Sequence, residues 1–247
     1  MENEKKIYIS LAGLTVEVNY IRKRIPRFFR DYRIKKPENG VDIVATATPE
    51  GVEEELAADP SVGALNAEKS CIFRCIAERS PSFGSFLFHC AAIAYEGEGF
   101  LFGALSGTGK STHIGLWREY LGDKVEIVNG DKPLLRMTGE EPEICSTPWA
   151  GKEGWQKNAI VPLRGICLLC RSEENTIRRV EPKECMRLII QQVYLPRDRE
   201  ALFLTMGLLD QILRKVPIYL LHCDISEEAV KTSFEALTGK PYPNTKE

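Results

Sequence analysis

The sequence holds no run approaching the roughly 20 apolar residues needed to cross a bilayer. It also lacks an excess of either charge: 33 Lys and Arg stand against 35 Asp and Glu, a formal net charge of −2. Balanced charge gives no general attraction to nucleic acid or to an anionic membrane, so any anionic ligand must be caught locally. The eight cysteines, at 71, 75, 90, 145, 167, 170, 185 and 223, have neither the density nor the even spacing of a secreted disulfide framework. Reduced thiols are the default. Cys167 and Cys170 form a C-x-x-C inside the apolar stretch 159–170, and without a second Cys or His pair nearby they read as strand packing, not half a zinc site. Cys71 and Cys75, one helical turn apart, read the same way. No internal repeat or low-complexity tract is present. The opening MENEKK leads into the strand-like 8–18 rather than a signal sequence, which sets the expectation of a cytoplasmic protein.

What is there divides in two. A chain of 247 residues suits one large domain, or one medium domain with a smaller companion. Residues 1–84 carry strand-like stretches at 7–18 and 41–46, separated by the basic segment 22–33 and followed by the acidic 50–59, which predicts a small α+β lobe. The basic segment mixes cations with Phe28 and Phe29; it reads as a solvated surface with two aromatic anchors, and no function is assigned to it. From residue 85 apolar runs alternate with periodic helices. Residues 86–95 and 99–105 read as adjacent strands joined at Glu96-Gly97-Glu98-Gly99, and Ile114, Trp117 and Leu121 mark an amphipathic helix that Gly122 stops. Further strands are predicted at 125–128, 160–170 and 218–223, with helices at 182–194, 200–215 and 226–237, the last capped by Ser226 and closed by Gly239.

The chemistry is concentrated in Ala104-Leu105-Ser106-Gly107-Thr108-Gly109-Lys110-Ser111-Thr112. Gly107 and Gly109 open backbone conformations closed to residues with a Cβ, so that successive N–H groups can turn toward phosphate oxygens. A helix starting near Lys110 adds its positive end. Lys110 supplies a full charge to the β- and γ-phosphates, and the Ser111 hydroxyl can ligate Mg²⁺. Such a loop needs a carboxylate at the end of a neighbouring strand, to hold metal or take a proton. Asp131, at the end of the strand 125–128, is the candidate.

These residues resemble the nucleotide-binding core shared by HPr kinase/phosphorylase and ATP-dependent phosphoenolpyruvate carboxykinase, over about residues 85–240. The resemblance is strongest to small bacterial HPr-kinase-like proteins, some of which act on serine in peptides. It is carried by Gly109-Lys-Ser-Thr-His113, Leu116-Trp-Arg118, Asn129-Gly-Asp-Lys-Pro-Leu-Leu-Arg136 and Thr147-Pro-Trp-Ala-Gly-Lys152. It implies a carboxykinase-like α/β domain with a mixed sheet over 85–247, using ATP and Mg²⁺ to phosphorylate a hydroxyl, that of serine in a peptide, protein or small molecule. By the resemblance His89, placed on the strand before the loop strand, matches the active-site histidine, and Lys110 and Ser111 match the phosphate lysine and the metal hydroxyl. Asp131 would join Ser111 on the metal, His89 or Asp131 would handle the acceptor proton, and Lys152 would neutralise the transferring phosphate. The family has two consecutive acids where this chain has Gly130-Asp131-Lys132, so either Gly130 or Lys132 stands in place of an acid. Two other classes fit parts of the pattern: a nucleotide-binding regulatory module without catalysis, and a decarboxylating carboxykinase, for which the chain is short. His113 either faces the ligand or covers the helix start, and His222 reads as a core histidine. Neither nucleic acid nor membrane is expected as a partner, and the sequence says nothing about oligomeric state.

Overall fold

The computed structural model describes residues 5–105 and 107–243. The chain begins with a hairpin, β1 (Lys6–Leu11) and β2 (Leu14–Asn19), where the sequence pattern suggested one strand over 7–18. Its apolar alternation runs straight through the turn and hides it; Ala12 and Gly13 both take positive φ (53° and 78°), the geometry of a tight two-residue hairpin. A short helix α1 (Ile25–Phe28) leads to β3 (Arg33–Ile34), and then comes β4 (Ile43–Thr46). The four strands form a sheet in the order β3-β1-β2-β4, with β4 parallel to β2 and the other pairs antiparallel. Two helices follow. The acidic stretch forms α2 (Pro49–Ala58), which Thr48 caps by accepting the Gly51 N–H, with Pro49 in the first turn where its missing donor costs nothing. In α3 (Ala64–Arg79) Ala67, Cys71, Ile72 and Ile76 face inward, which accounts for Cys71 as packing.

The remaining elements are β5 (Ser85–Leu87), β6 (Ala91–Tyr95), β7 (Glu98–Gly103), α4 (Lys110–Leu121), β8 (Val125–Asn129), β9 (Leu134–Arg136), β10 (Glu143–Cys145), β11 (Ile160–Arg171), β12 (Thr176–Val180), α5 (Pro182–Ile190), α6 (Arg199–Lys215), β13 (Ile218–Cys223) and α7 (Glu227–Thr238). Their sheet runs β5-β9-β10-β11-β7-β6-β8, with β13 added to β11 and β12 to β13. The pairs β7–β11 and β11–β13 are parallel and the others antiparallel. The protein is therefore a mixed α/β structure with two mixed sheets. Among the described residues no helix is long and apolar enough to cross a membrane.

Three sequence expectations are corrected here. The strand read over 86–95 breaks between β5 and β6, because the chain leaves its partner β9 and crosses to β7. The helix expected to run to 194 stops at Ile190, because residues beyond it pair with that break: His89 donates its N–H to the Gln192 carbonyl (2.6 Å) and Tyr194 to that of Leu87 (3.1 Å). His222, expected in the core, is exposed; the alternation that buries Leu221 turns it to the opposite face of β13. Cys167 is wholly buried among the apolar residues under α4 and α7, and burial pushes its thiol up. Trp117 lies in the same core at 0% exposure, and its indole N–H donates to Ser233 Oγ (2.9 Å) on α7.

The core of the first sheet is continuous with the second, taking in Leu87, Leu134 and Cys145. Trp149 is the main junction. It packs against Phe28, Phe29 and Phe73 at ring-centroid distances of 5.5, 5.5 and 4.6 Å. Beside it the buried Tyr32 hydroxyl meets Ser146 Oγ (2.9 Å) and donates to Gln156 Oε1 (2.7 Å).

Candidate active site

β7 ends at Gly103 and α4 begins at Lys110, so the Gly-rich segment is the tight connection between a central strand and a helix N-terminus. Gly107 and Gly109 take φ of +78° and +118°. A Cβ on either would meet nothing within 4 Å, so glycine is required there by backbone conformation, not by space. Ser106, named as a nucleotide contact from the sequence, lies outside the described residues. The Lys110 ammonium folds back on its own loop and donates to the Ala104 carbonyl (3.2 Å). Burial lowers its pKa, against the opposing fields of Cys90 and Asp131. Arg171, at the end of β11, donates to the Thr108 carbonyl (3.2 Å) and to that of Gly107, holding the loop from behind.

Asp131 follows β8 in a turn built by Asn129. The Asn129 side-chain oxygen accepts the N–H groups of Asp131 (2.9 Å) and Lys132 (2.7 Å), while its amide nitrogen donates to the Thr147 carbonyl (2.8 Å). Gly130 between them leaves no room for any side chain: a Cβ would lie 2.9 Å from the Ala150 carbonyl oxygen. The Asp131 carboxylate is held on both sides, by His89 Nε2 at 2.9 Å from Oδ1 and by Lys132 Nζ at 2.7 Å from Oδ2. Burial raises its pKa, but the His89 hydrogen bond and the Lys132 charge outweigh burial and bring it down to about 2. Asp131 is thus ionised and can only accept, so neutral His89 carries its proton on Nε2 and keeps the Nδ1 lone pair. His89 lies in the break between β5 and β6, not within a strand as the sequence suggested. Turned so that its nitrogen donates, the buried Gln192 amide reaches the carbonyls of His89 (2.7 Å) and Ala104 (3.2 Å), tying the histidine segment to the start of the loop.

A cavity of about 440 Å³ is lined by His89, residues 107–112, Gly130, Asp131 and residues 151–153. The structure therefore brings His89, Lys110, Ser111, Thr112, Asp131 and Lys152 to one space, although they are spread over more than sixty positions of the chain. Ala104 is buried beneath the loop and Leu105 stands half exposed; neither lines the cavity. On the other side of the loop a second cleft of about 520 Å³ shares Gly107, Thr108, Gly109 and Thr112 and is walled by Leu116, Leu169, Cys170, Cys223 and Ile225. His113 borders this cleft but is 3% exposed and is bonded to Ser233 Oγ (3.1 Å); burial holds its pKa down at about 4. It covers the helix start.

Among the described residues no group of three or more His, Cys, Asp or Glu side chains could hold a metal ion. The Ser111 hydroxyl and the ionised Asp131 carboxylate nevertheless border the same cavity, and hard oxygen donors of this kind fit Mg²⁺ carried in on phosphates rather than caged by protein. Sequence reasoning missed Gln192, Arg171 and the pairing of Lys132 with Asp131. Nothing local marks the first two, since both act on backbone carbonyls far along the chain. Lys132 was legible as an oddity beside Asp131, and only its direction was hidden.

No protein-family model matches the chain, and no curated protein matches it. Among solved structures it is similar to the HPr(Ser) kinase/phosphatase from Coxiella burnetii, at 12% sequence identity over 62% of this chain and 88% of that chain, with a TM-score of 0.37. A likeness that loose carries no argument about function.

Proposed function

We propose that this protein is an ATP-dependent phosphotransferase that passes the γ-phosphoryl group to a hydroxyl, that of serine in a peptide, protein or small molecule. One observation carries the reading: the Gly-rich loop, Lys110, His89, Asp131 and Lys152 all border one cavity of about 440 Å³. In this reading residues 85–247 are a nucleotide-binding domain of the HPr-kinase and carboxykinase type, and residues 1–84 a small accompanying lobe. The backbone amides of 107–112 and the N-terminal end of α4 receive the phosphates, and Lys110 exchanges the Ala104 carbonyl for them. The apolar cleft across the loop takes the nucleoside. Ser111 and Asp131 would hold Mg²⁺, which when bound neutralises phosphate charge.

Phosphoryl transfer asks for position and charge more than for covalent help. Lys152, which borders the same cavity as Lys110, supplies a second positive charge. His89 takes the acceptor proton on Nδ1, since a carboxylate with a pKa near 2 is too weak a base for a serine hydroxyl. Asp131 fixes the histidine tautomer and stabilises the imidazolium, as the acid does in a Ser-His-Asp triad. Gly130 has no room for a side chain in this chain, and Lys132 pairs with Asp131, so Asp131 is the one carboxylate this turn offers.

Calorimetry with Mg·ATP tests the binding half. Lys110→Ala should weaken affinity at least about tenfold, the loss of one charge-assisted phosphate contact of roughly 1.5–3 kcal/mol. Equal affinity in variant and parent would make the loop structural. Incubation with γ-labelled ATP and pooled serine peptides tests the transfer half. Nucleotide binding without any transfer would favour a regulatory module, a reading that the double engagement of the single carboxylate supports.

A further inference from the structure

The site leaves unused a strongly basic segment. Residues 22–38 hold eight Lys or Arg and two acids, against a chain total of 33 and 35. Arg22 is paired with the buried Glu68 (2.9 Å) and Arg30 with Asp31 (3.3 Å). Lys23, Arg24, Arg27, Arg33, Lys35 and Lys36 are all exposed. They project from the chain around α1 and β3, and β3 is an edge strand: among the described residues only β1 pairs with it, through Tyr8↔Ile34 and Ile9↔Arg33. In an antiparallel ladder alternate residues turn their N–H and C=O away from the partner, so one of Arg33 and Ile34 offers both groups outward.

This face is hydrogen-bonded to the chain that follows the cavity-lining residues 151–153. The Asp31 carbonyl accepts from Asn158 Nδ2 (2.9 Å), and Tyr32 donates to Gln156 Oε1 (2.7 Å). Gln156 in turn forms a β-bridge with Asn129, whose side chain sets the turn carrying Asp131. An extended peptide of about six residues spans roughly 20 Å, enough to run from such an edge into a neighbouring cavity.

We propose that this cationic face docks an extended acidic peptide segment of the acceptor, laid along the open edge of β3 so that a hydroxyl nearby in the same peptide reaches the cavity. The naming of this peptide as the acceptor rests on the phosphotransferase reading; the docking itself does not. Strand addition uses the outward backbone groups, and the cations choose the charge of the incoming chain. Single-stranded nucleic acid is disfavoured because the aromatics of the segment are turned inward, Phe29 at 0% exposure and both Phe28 and Phe29 against Trp149, which leaves none free to stack on bases. A second copy of the same edge is repelled by its like charge.

The probe is a fluorescein-labelled peptide of about twelve residues, alternating Glu with Ser and Val, followed by fluorescence anisotropy without nucleotide at about 50 and about 300 mM NaCl. The parent should bind at low salt and weaken at high salt. The combined Arg24→Glu, Arg27→Glu and Lys35→Glu variant should lose about tenfold or more, and the matching Gln variant should fall between. Melting curves and circular dichroism establish that both variants are folded. Lys110→Ala should bind the peptide as the parent does; a parent protein that binds the peptide but neither binds Mg·ATP nor transfers phosphate would sink the kinase reading and leave the docking face standing. Parent-like affinity in the folded Glu variant would overturn the proposal. So would equal binding of the same peptide with Gln in place of Glu, or tighter binding of an oligothymidylate of similar length that the Glu variant abolishes.

Discussion

Asp131→Asn keeps the shape of the side chain and removes the charge that His89 and Lys132 share. The amide oxygen can still accept from His89, but the amide nitrogen then faces the Lys132 ammonium, donor against donor. The magnitude follows from the carboxyl pKa, lowered from 3.8 to about 2. At about 1.36 kcal/mol per unit this is on the order of 2 kcal/mol of folded-state preference for the ionised form. Because the folded value lies below the unfolded one, that stability is fully present above about pH 4 and is lost as pH falls through about 2. Urea unfolding at pH 7 should therefore find the Asn variant less stable by about 2 kcal/mol, and the gap should close on acidification toward about pH 2. Catalytically, His89 loses both its fixed tautomer and its counter-ion, and transfer of labelled phosphate should fall by about 10²–10⁴. The variant should also bind Mg·ATP less tightly relative to metal-free ATP, since an amide oxygen is a poorer ligand for a hard cation. Unchanged stability at pH 7, together with undiminished transfer at saturating Mg²⁺, would refute both the pairing and the catalytic role.

His89→Ala should lower turnover by about 10²–10⁴ while the calorimetric affinity for Mg·ATP stays within about twofold, because the ring serves the acceptor and not the phosphates. Gly130→Ala drives a methyl to 2.9 Å from the Ala150 carbonyl oxygen and should cost about 1–3 kcal/mol in urea unfolding; a neutral result would mean that the 150–155 segment yields freely. His113 is buried in its neutral form with a pKa lowered from 6.5 to about 4, so its contribution is complete above about pH 6.5 and is lost as pH falls toward 4, a decline of about 3 kcal/mol. His113→Asn should flatten that part of the stability curve, and an unaltered slope would assign the acid sensitivity elsewhere.

The Gly-rich loop was legible because everything that makes it is local. An apolar strand, two glycines with positive φ, a lysine and an amphipathic helix follow one another within about twenty-five residues, and each is set by the conformational range of the residues themselves. The same holds for α7, whose cap at Ser226 and stop at Gly239 stand where the sequence placed them. The hairpin at Ala12-Gly13 escaped because alternation continues through a two-residue turn without a change of period. His89 was named from its resemblance, yet its chain position was misread: periodicity records that 86–95 is apolar and not that its two ends belong to different partners.

By itself the sequence determined the glycine-rich loop between strand and helix, the cap and stop of α7, and that no general charge excess attracts anions. Only the tertiary structure decided that Asp131 is clasped by His89 and Lys132, that Gly130 is forced by the Ala150 carbonyl, that Arg171 and Gln192 brace the loop, and that the basic segment bonds to residues 156 and 158, just beyond the cavity-lining 151–153. The division has a physical cause. Capping, glycine conformation and amphipathic period are settled within one or two turns of chain, whereas a hydrogen bond between residues forty or a hundred positions apart depends on strand order and register, which the whole core sets at once.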